Sequence, residues 1–156
     1  MSIDKVRNYL KKWHKDSEIL ELPISSATVA DAAKALNCKE ELIAKTMSFI
    51  IDETPILIVL AGDTKIDNTK FKKEFKTKAK MIPSQLLEEL IGHEAGGVCP
   101  FGIKENVLVY LDKSLKRFPY IYPACGSSNS AIKLTIAQLE KFSNYKRWID
   151  VTKAIN

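Results

Sequence analysis

Residues 55–62, PILIVLAG, form the longest apolar run of the chain. The run is strand-sized and far short of the roughly 20 residues of a membrane span. No polar residue alternates within it, so the strand predicted over TPILIVLAGD must be covered on both faces. That requirement places it inside a sheet with packed layers on either side, and the remaining segments must supply those layers. SIDKVRNYLKKWHK repeats Ile3, Val6, Leu10 and Trp13 at helical spacing behind Ser2 as N-cap. TVADAAKALN is a second predicted helix, with Thr28 as N-cap, Asp31 closing an acidic capping box and Asn37 as the left-handed stop. KEELIAKT is expected as a short helix leading into the strand MSFII, and DNTKFKKEFKTK as a helix capped by Asp67 or Asn68. IPSQLLEELIG is expected as a helix from Ser84 to Gly92.

After a Gly-rich loop, NVLVYLD is a predicted strand with Val107, Val109 and Leu111 on one face. SLKRF reads as a helical turn, YIYPA and AIKLT as strands, and IAQLEKFS as the last helix before WIDV. ELPISSA is a loop or an edge strand broken by Pro23. Helices and strands interleave, but the late strands have short links, which favours a mixed sheet over a strictly parallel one. The 156 residues suit one domain, 1–156, able to close a core without staples.

The N-terminus lacks the apolar core of a signal peptide. Three widely spaced cysteines, Cys38, Cys99 and Cys125, argue against a disulfide framework and fit a reducing compartment, so a cytoplasmic location is expected. His14 and His93 stand far apart, and no Cys or His pair has metal-ligand spacing. The sequence therefore gives no reason to expect a metal, a cofactor or a membrane partner. Net charge is +5, and the window Lys65–Lys80 alone holds seven lysines against Asp67 and Glu74. Such a run is either a solvated helix face or a phosphate-binding patch. Phe71 and Phe75, four residues apart, look like the buried stripe of that helix.

Chemistry could sit in two loops, GGVCPFG at 96–102 and CGSSNS at 125–130. Small residues let a ligand approach the backbone and free N–H groups to donate, although each loop taken alone reads as a tight turn. Neither matches GxGxxG or GxxxxGK[ST]. A cysteine nucleophile would need a base, and His93, six residues before Cys99, is the one nearby candidate. A free cysteine is more often a small buried hydrophobe. Lys45 lies in the apolar stretch LIAKTMSFI, where it is either an amphipathic edge residue or a cation aimed into a cleft.

Taken together, TVADAAKALNCKEELIAKTMSFI, LAGDTKID, GGVCPFG and CGSSNSAIKLTIAQL resemble the YbaK/prolyl-tRNA-synthetase-associated domain family over roughly residues 20–145. The resemblance implies an α/β single domain with a mixed, barrel-like central β-sheet surrounded by helices. It implies an editing hydrolase that removes a small amino acid from mischarged tRNA, of the Cys-tRNA(Pro) or Ala-tRNA(Pro) type, or a non-catalytic binding module of the same fold. Lys45 would line the cleft for the aminoacylated adenosine, and the backbone of Gly126 and Ser127 would meet the ester or its oxyanion. Gly96, Gly97, Val98, Cys99, Pro100, Tyr122 and Cys125 would border the aminoacyl pocket. Lys65, Lys70, Lys72, Lys73 and Lys76 would contact the tRNA acceptor end, with an aminoacyl-tRNA synthetase as a further candidate partner. Alanine-clearing members carry His-Pro where this chain has Tyr122–Pro123. Cysteine-clearing members have an Arg-containing second loop and Gly-Gly-Cys-x-Pro in the first, against Gly-Gly-Val-Cys-Pro here. The motifs thus leave the amino acid open.

Overall fold

A computed structural model of the chain describes residues 2–155; the outermost residues of the expected 1–156 domain lie outside it. The apolar run 55–62 forms most of β3, Thr54–Ala61, in which Ile56 to Ala61 are all buried. It pairs antiparallel with β2, Ile43–Ile51, and parallel with a later strand, Leu108–Asp112. With β1 at Leu20–Glu21 and β4 at Thr64–Ile66, that later strand is β5. The remaining strands are β6 (Tyr120–Pro123), β7 (Ser130–Ala131), β8 (Leu134–Thr135), β9 (Trp148–Ile149) and β10 (Thr152–Ala154).

Six of these form the main sheet, in the order β8-β6-β2-β3-β5-β9. The sheet is mixed and curls into a half-barrel, as expected. One face carries Ala44, Leu57, Val59 and Ala61 into the larger core, with Val107, Val109 and Leu111 beside them. The other carries Phe49, Ile56, Ile58 and Leu60 onto Phe71. Two-stranded pairs β1–β7 and β4–β10 flank it.

The helices are α1 (Ser2–Leu10), α2 (Val29–Leu36), α3 (Asn68–Phe75), α4 (Leu87–Leu90) and α5 (Ile136–Ser143). The Thr28 side chain caps α2 by accepting from Asp31 N–H, and Asn37 ends it in the left-handed region at φ 53°. Asp67 caps α3, accepting from the N–H groups of Thr69 and Lys70. Three expectations differ. The strand expected at AIKLT is two short ones, β7 and β8, because their partners β1 and β6 lie in different sheets. The strand expected at MSFII begins four residues earlier, at Ile43, because β6 and β3 hold both edges there; only Glu40–Leu42 forms a helical turn. The helix expected from Ser84 is a 3-10 turn followed by the four residues of α4, and no side chain caps either piece.

The C-terminal segment is tied down by one buried carboxylate. Asp112 accepts from Val151 N–H at 2.9 Å, Ser114 N–H at 2.9 Å and the Thr152 hydroxyl at 2.8 Å. Three donors offset the cost of placing that charge in the interior. Among the described residues no helix is long and apolar enough to cross a membrane.

Candidate functional site

A pocket of about 470 Å³ opens along the edge of β2, lined by residues from both of that strand's faces. Its walls come from the 26–32 stretch, β2 from Ile43 to Ser48, the 81–87 segment, the first Gly-rich loop and the end of β6. Many wall residues are small: Ala27, Ala32, Ala44, Ala95, Gly96, Ala124 and Ala131. Ile82, Leu87 and Val98 give it an apolar floor. Lys45, Gly96, Val98 and Tyr122, four of the residues singled out from the sequence, line it together.

Lys45 sits on β2 opposite Leu60. Burial pushes its ammonium below the ordinary lysine range, and the carboxylates of Asp63 and Glu40 partly restore it. Asp63 is itself held by a fork of hydrogen bonds from Arg117 at 2.6 and 3.0 Å. Among the described residues Lys45 is therefore a half-buried cation with no hydrogen-bonded carboxylate of its own, and its charge is available to an anion or an ester oxygen. Tyr122 stands edge-on to Tyr120, centroids 5.9 Å apart, at the same wall.

The two Gly-rich loops do meet, but they meet each other. Gly126 N–H donates to Gly97 O at 3.0 Å. A Cβ on Gly97 would lie 2.5 Å from Gly126 C and 2.6 Å from Ser127 N. At Gly126, with φ +95°, it would lie 2.7 Å from Ser2 O at the start of α1. Bare backbone at these positions answers loop-on-loop and loop-on-helix packing, where the sequence suggested ligand approach. Ser127 N–H donates to Ser130 Oγ at 3.3 Å, and the Ser127 hydroxyl donates to Ser130 Oγ at 2.7 Å. Both N–H groups expected at the oxyanion are thus engaged within the loops. Gly96 differs: its φ of +89° needs glycine and it lines the pocket.

Cys99 and Cys125 are fully buried in the main core, and neither they nor Pro100 form pocket wall. The Cys99 thiol donates to Phe101 O at 3.7 Å, and burial pushes it up to about 12. His93 Nε2 lies 2.6 Å from the same carbonyl. A carbonyl only accepts, so Nε2 carries the proton and cannot take one from Cys99, 3.6 Å away. The cysteine–histidine nucleophile raised by the sequence has neither a thiolate nor a base in position.

The lysine run places Asn68, Thr69, Lys72, Lys73, Lys76, Lys78 and Ala79 around an open groove of about 820 Å³. Phe71 is buried beneath, as its spacing predicted. Lys70 leaves this set: it donates to Asp150 at 3.1 Å and to Thr152 O at 2.8 Å. Lys65 stays on β4, opposite Lys153. The groove and the pocket are joined by the chain itself, since Ala79 borders one and Met81 the other.

Comparison with known proteins then decides the family. A profile of the aminoacyl-tRNA editing domain matches residues 25–142. The chain belongs to the aminoacyl-tRNA editing domain family. It is 49% identical over 155 residues to the uncharacterized protein YwhH of Bacillus subtilis (strain 168), covering 98% of each chain. It is 30% identical over 107 residues to the proline–tRNA ligase of Aquifex aeolicus (strain VF5), where the match covers 67% of this chain and 19% of the ligase. A solved protein proposed as a trans-editing enzyme for prolyl-tRNA synthetase superposes with a TM-score of 0.87 at 23% identity, covering 98% of both chains. That likeness fixes the fold. The Thr46 hydroxyl, buried on the pocket wall and without a hydrogen-bond partner among the described residues, is a feature the sequence does not reveal. A threonine in a strand signals β-propensity alone.

Proposed function

We propose that this editing domain is a trans-acting deacylase that hydrolyses tRNA carrying a small, wrong amino acid, of the alanyl- or cysteinyl-tRNA(Pro) type. The observation that carries the reading is the small-walled pocket with a half-buried lysine cation on its rim. Water attacks the ester carbonyl, the bond to the terminal ribose oxygen breaks, and the amino acid leaves as a carboxylate while the ribose recovers its hydroxyl. The ester is already activated, so orientation and charge stabilisation suffice, and no protein nucleophile is required. Lys45 supplies the positive charge. The alanine and glycine walls act as a size sieve, since a pocket excludes a larger side chain far better than it favours a smaller one.

The adjoining lysine groove offers Lys72, Lys73, Lys76 and Lys78 to the phosphates of the acceptor end. A synthetase that itself holds this tRNA is the natural second partner, given the kinship with proline–tRNA ligases. The test is a panel of tRNAs charged with alanine, cysteine, serine and proline. Release of alanine or cysteine, with Lys45→Ala reducing the rate about 10²–10³-fold in a protein of unchanged melting temperature, supports the reading. No release from any ester, with tight binding retained, makes the domain a binding module, the reading that Tyr122 in place of histidine keeps in play. Wild-type turnover by Lys45→Ala removes the lysine from the site.

A further inference from the structure

The edge of β2 holds a gap. Gly62 N–H donates to Ile43 O at 2.7 Å, beyond the pairs Ala44↔Ala61, Lys45↔Leu60 and Thr46↔Val59. The alternation of an antiparallel ladder therefore gives the backbone groups of Lys45 and Met47 to β3, and turns those of Thr46 and Ser48 to the opposite edge. On that edge β6 covers Ile43 and Ala44. Farther along, Ile82 N–H donates to Ser48 O at 3.1 Å, and Ile50 N–H donates to Lys80 O at 3.0 Å. Between these stretches the N–H and C=O of Thr46 have no backbone partner among the described residues, and they border the pocket. The Thr46 hydroxyl is unpartnered too. Unpaired backbone groups on an open strand edge are a template for a further strand, so a set of them beside a buried unpaired hydroxyl in a pocket wall marks where a ligand completes the pairing.

We propose that the aminoacyl group docks here as a strand of one residue. This rests on the deacylase reading above. An extended amino acid turns its amino nitrogen and its carbonyl oxygen to the same side. It therefore matches the N–H and C=O of a single residue across a ladder. The α-ammonium donates to Thr46 O, and the ester carbonyl accepts from Thr46 N–H. That N–H becomes the donor at the developing oxyanion, in the role that the occupied N–H groups of Gly126 and Ser127 do not fill. Residues directly opposite in such a pair project side chains to the same face. An L-aminoacyl side chain then follows Thr46 into the pocket, toward Ile82, Leu87 and Val98, while the α-amine and ester are read by backbone alone.

Two measurements test this. The first uses 3′-(L-alanylamino)-3′-deoxyadenosine, an amide that the hydrolysis cannot turn over. Amide exchange followed by NMR is expected to slow at Thr46 by at least about tenfold when it binds. Lys45 and Met47, already bonded to β3, are expected not to change. The second compares alanyl and propionyl esters of adenosine, each relative to its own uncatalysed rate. Loss of the α-amine is expected to cut kcat/KM roughly 10- to 100-fold, the worth of a hydrogen bond from a charged donor. Unchanged exchange at Thr46 while Gly96 and Val98 shift on binding overturns the docking mode, as do equal relative rates for the two esters. Failure of the amide to bind at saturating concentration overturns it as well. If no aminoacyl ester is cleaved yet Thr46 is protected, the deacylase reading falls and the docking mode stands.

Discussion

Replacing Gly97 with alanine separates the two meanings of its bare backbone. The residue needs no unusual dihedral, so the entire penalty is contact. The new methyl would sit 2.5 Å from Gly126 C, 2.6 Å from Ser127 N and 2.7 Å from Gly126 O, all backbone atoms with no rotamer to yield. The second loop cannot retreat freely, because Gly126 rests on the Ser2 carbonyl at the start of α1. Separating the loops strains the core beneath Cys99 and Cys125 and lengthens the bond from Gly126 N–H to Gly97 O, 3.0 Å in the native protein. Overpacking of this kind costs about 1–3 kcal/mol and the hydrogen bond about 1 kcal/mol more. A total of about 2–4 kcal/mol is a large share of the stability of an ordinary domain, and at this size lowers Tm by roughly 5–15 °C. Urea and thermal unfolding followed by Trp13 and Trp148 fluorescence measure it. A melting temperature within about 2 °C of wild type would refute the argument from packing.

Replacing Lys72, Lys73 and Lys76 together with Gln is expected to weaken tRNA binding. Each lost phosphate contact should flatten the log–log salt dependence by about 0.7–0.9, while hydrolysis of aminoacyl-adenosine stays near wild type; an unchanged salt slope places the tRNA elsewhere. Cys99→Ala is expected to keep turnover and lose about 1–3 kcal/mol of stability, and an acyl-enzyme detected by mass spectrometry would contradict it. His93 is held below its ordinary 6.5 by burial, so between that lowered value and 6.5 the unfolded chain binds more protons than the folded one. Stability should be unaffected by this group above that window and fall as pH drops through it. Urea midpoints at about pH 7.5 and about pH 5.5 measure the decline, and His93→Gln should flatten it.

Much of the architecture was legible because local chemistry dictated it. The caps at Thr28 and Asp67, the stop at Asn37 and the doubly buried β3 each follow from a few adjacent residues. Phe71 declared the buried side of α3 and so exposed the lysines opposite. What escaped depends on distant partners. Ile43 and Ala44 read as the end of a helix until β6 is laid beside them. Gly97 announces only that something comes close, and the neighbour turns out to be another loop. Thr46 becomes notable solely because β6 ends at Pro123, a fact written nearly 80 residues away.

The same dispersal governs when the protein can act. The pocket draws its walls from segments spread between Ser26 and Ala131. β2–β6 and β3–β5 are parallel pairs that close only after long stretches of chain have been brought back together. Loop-closure entropy is spent before such pairs return any stability, which puts folding toward the slower, millisecond-to-second end of the range. The full set of walls assembles only when these distant segments meet. The pocket is therefore completed only when β6 and β5 have been brought back beside β2 and β3, late in folding.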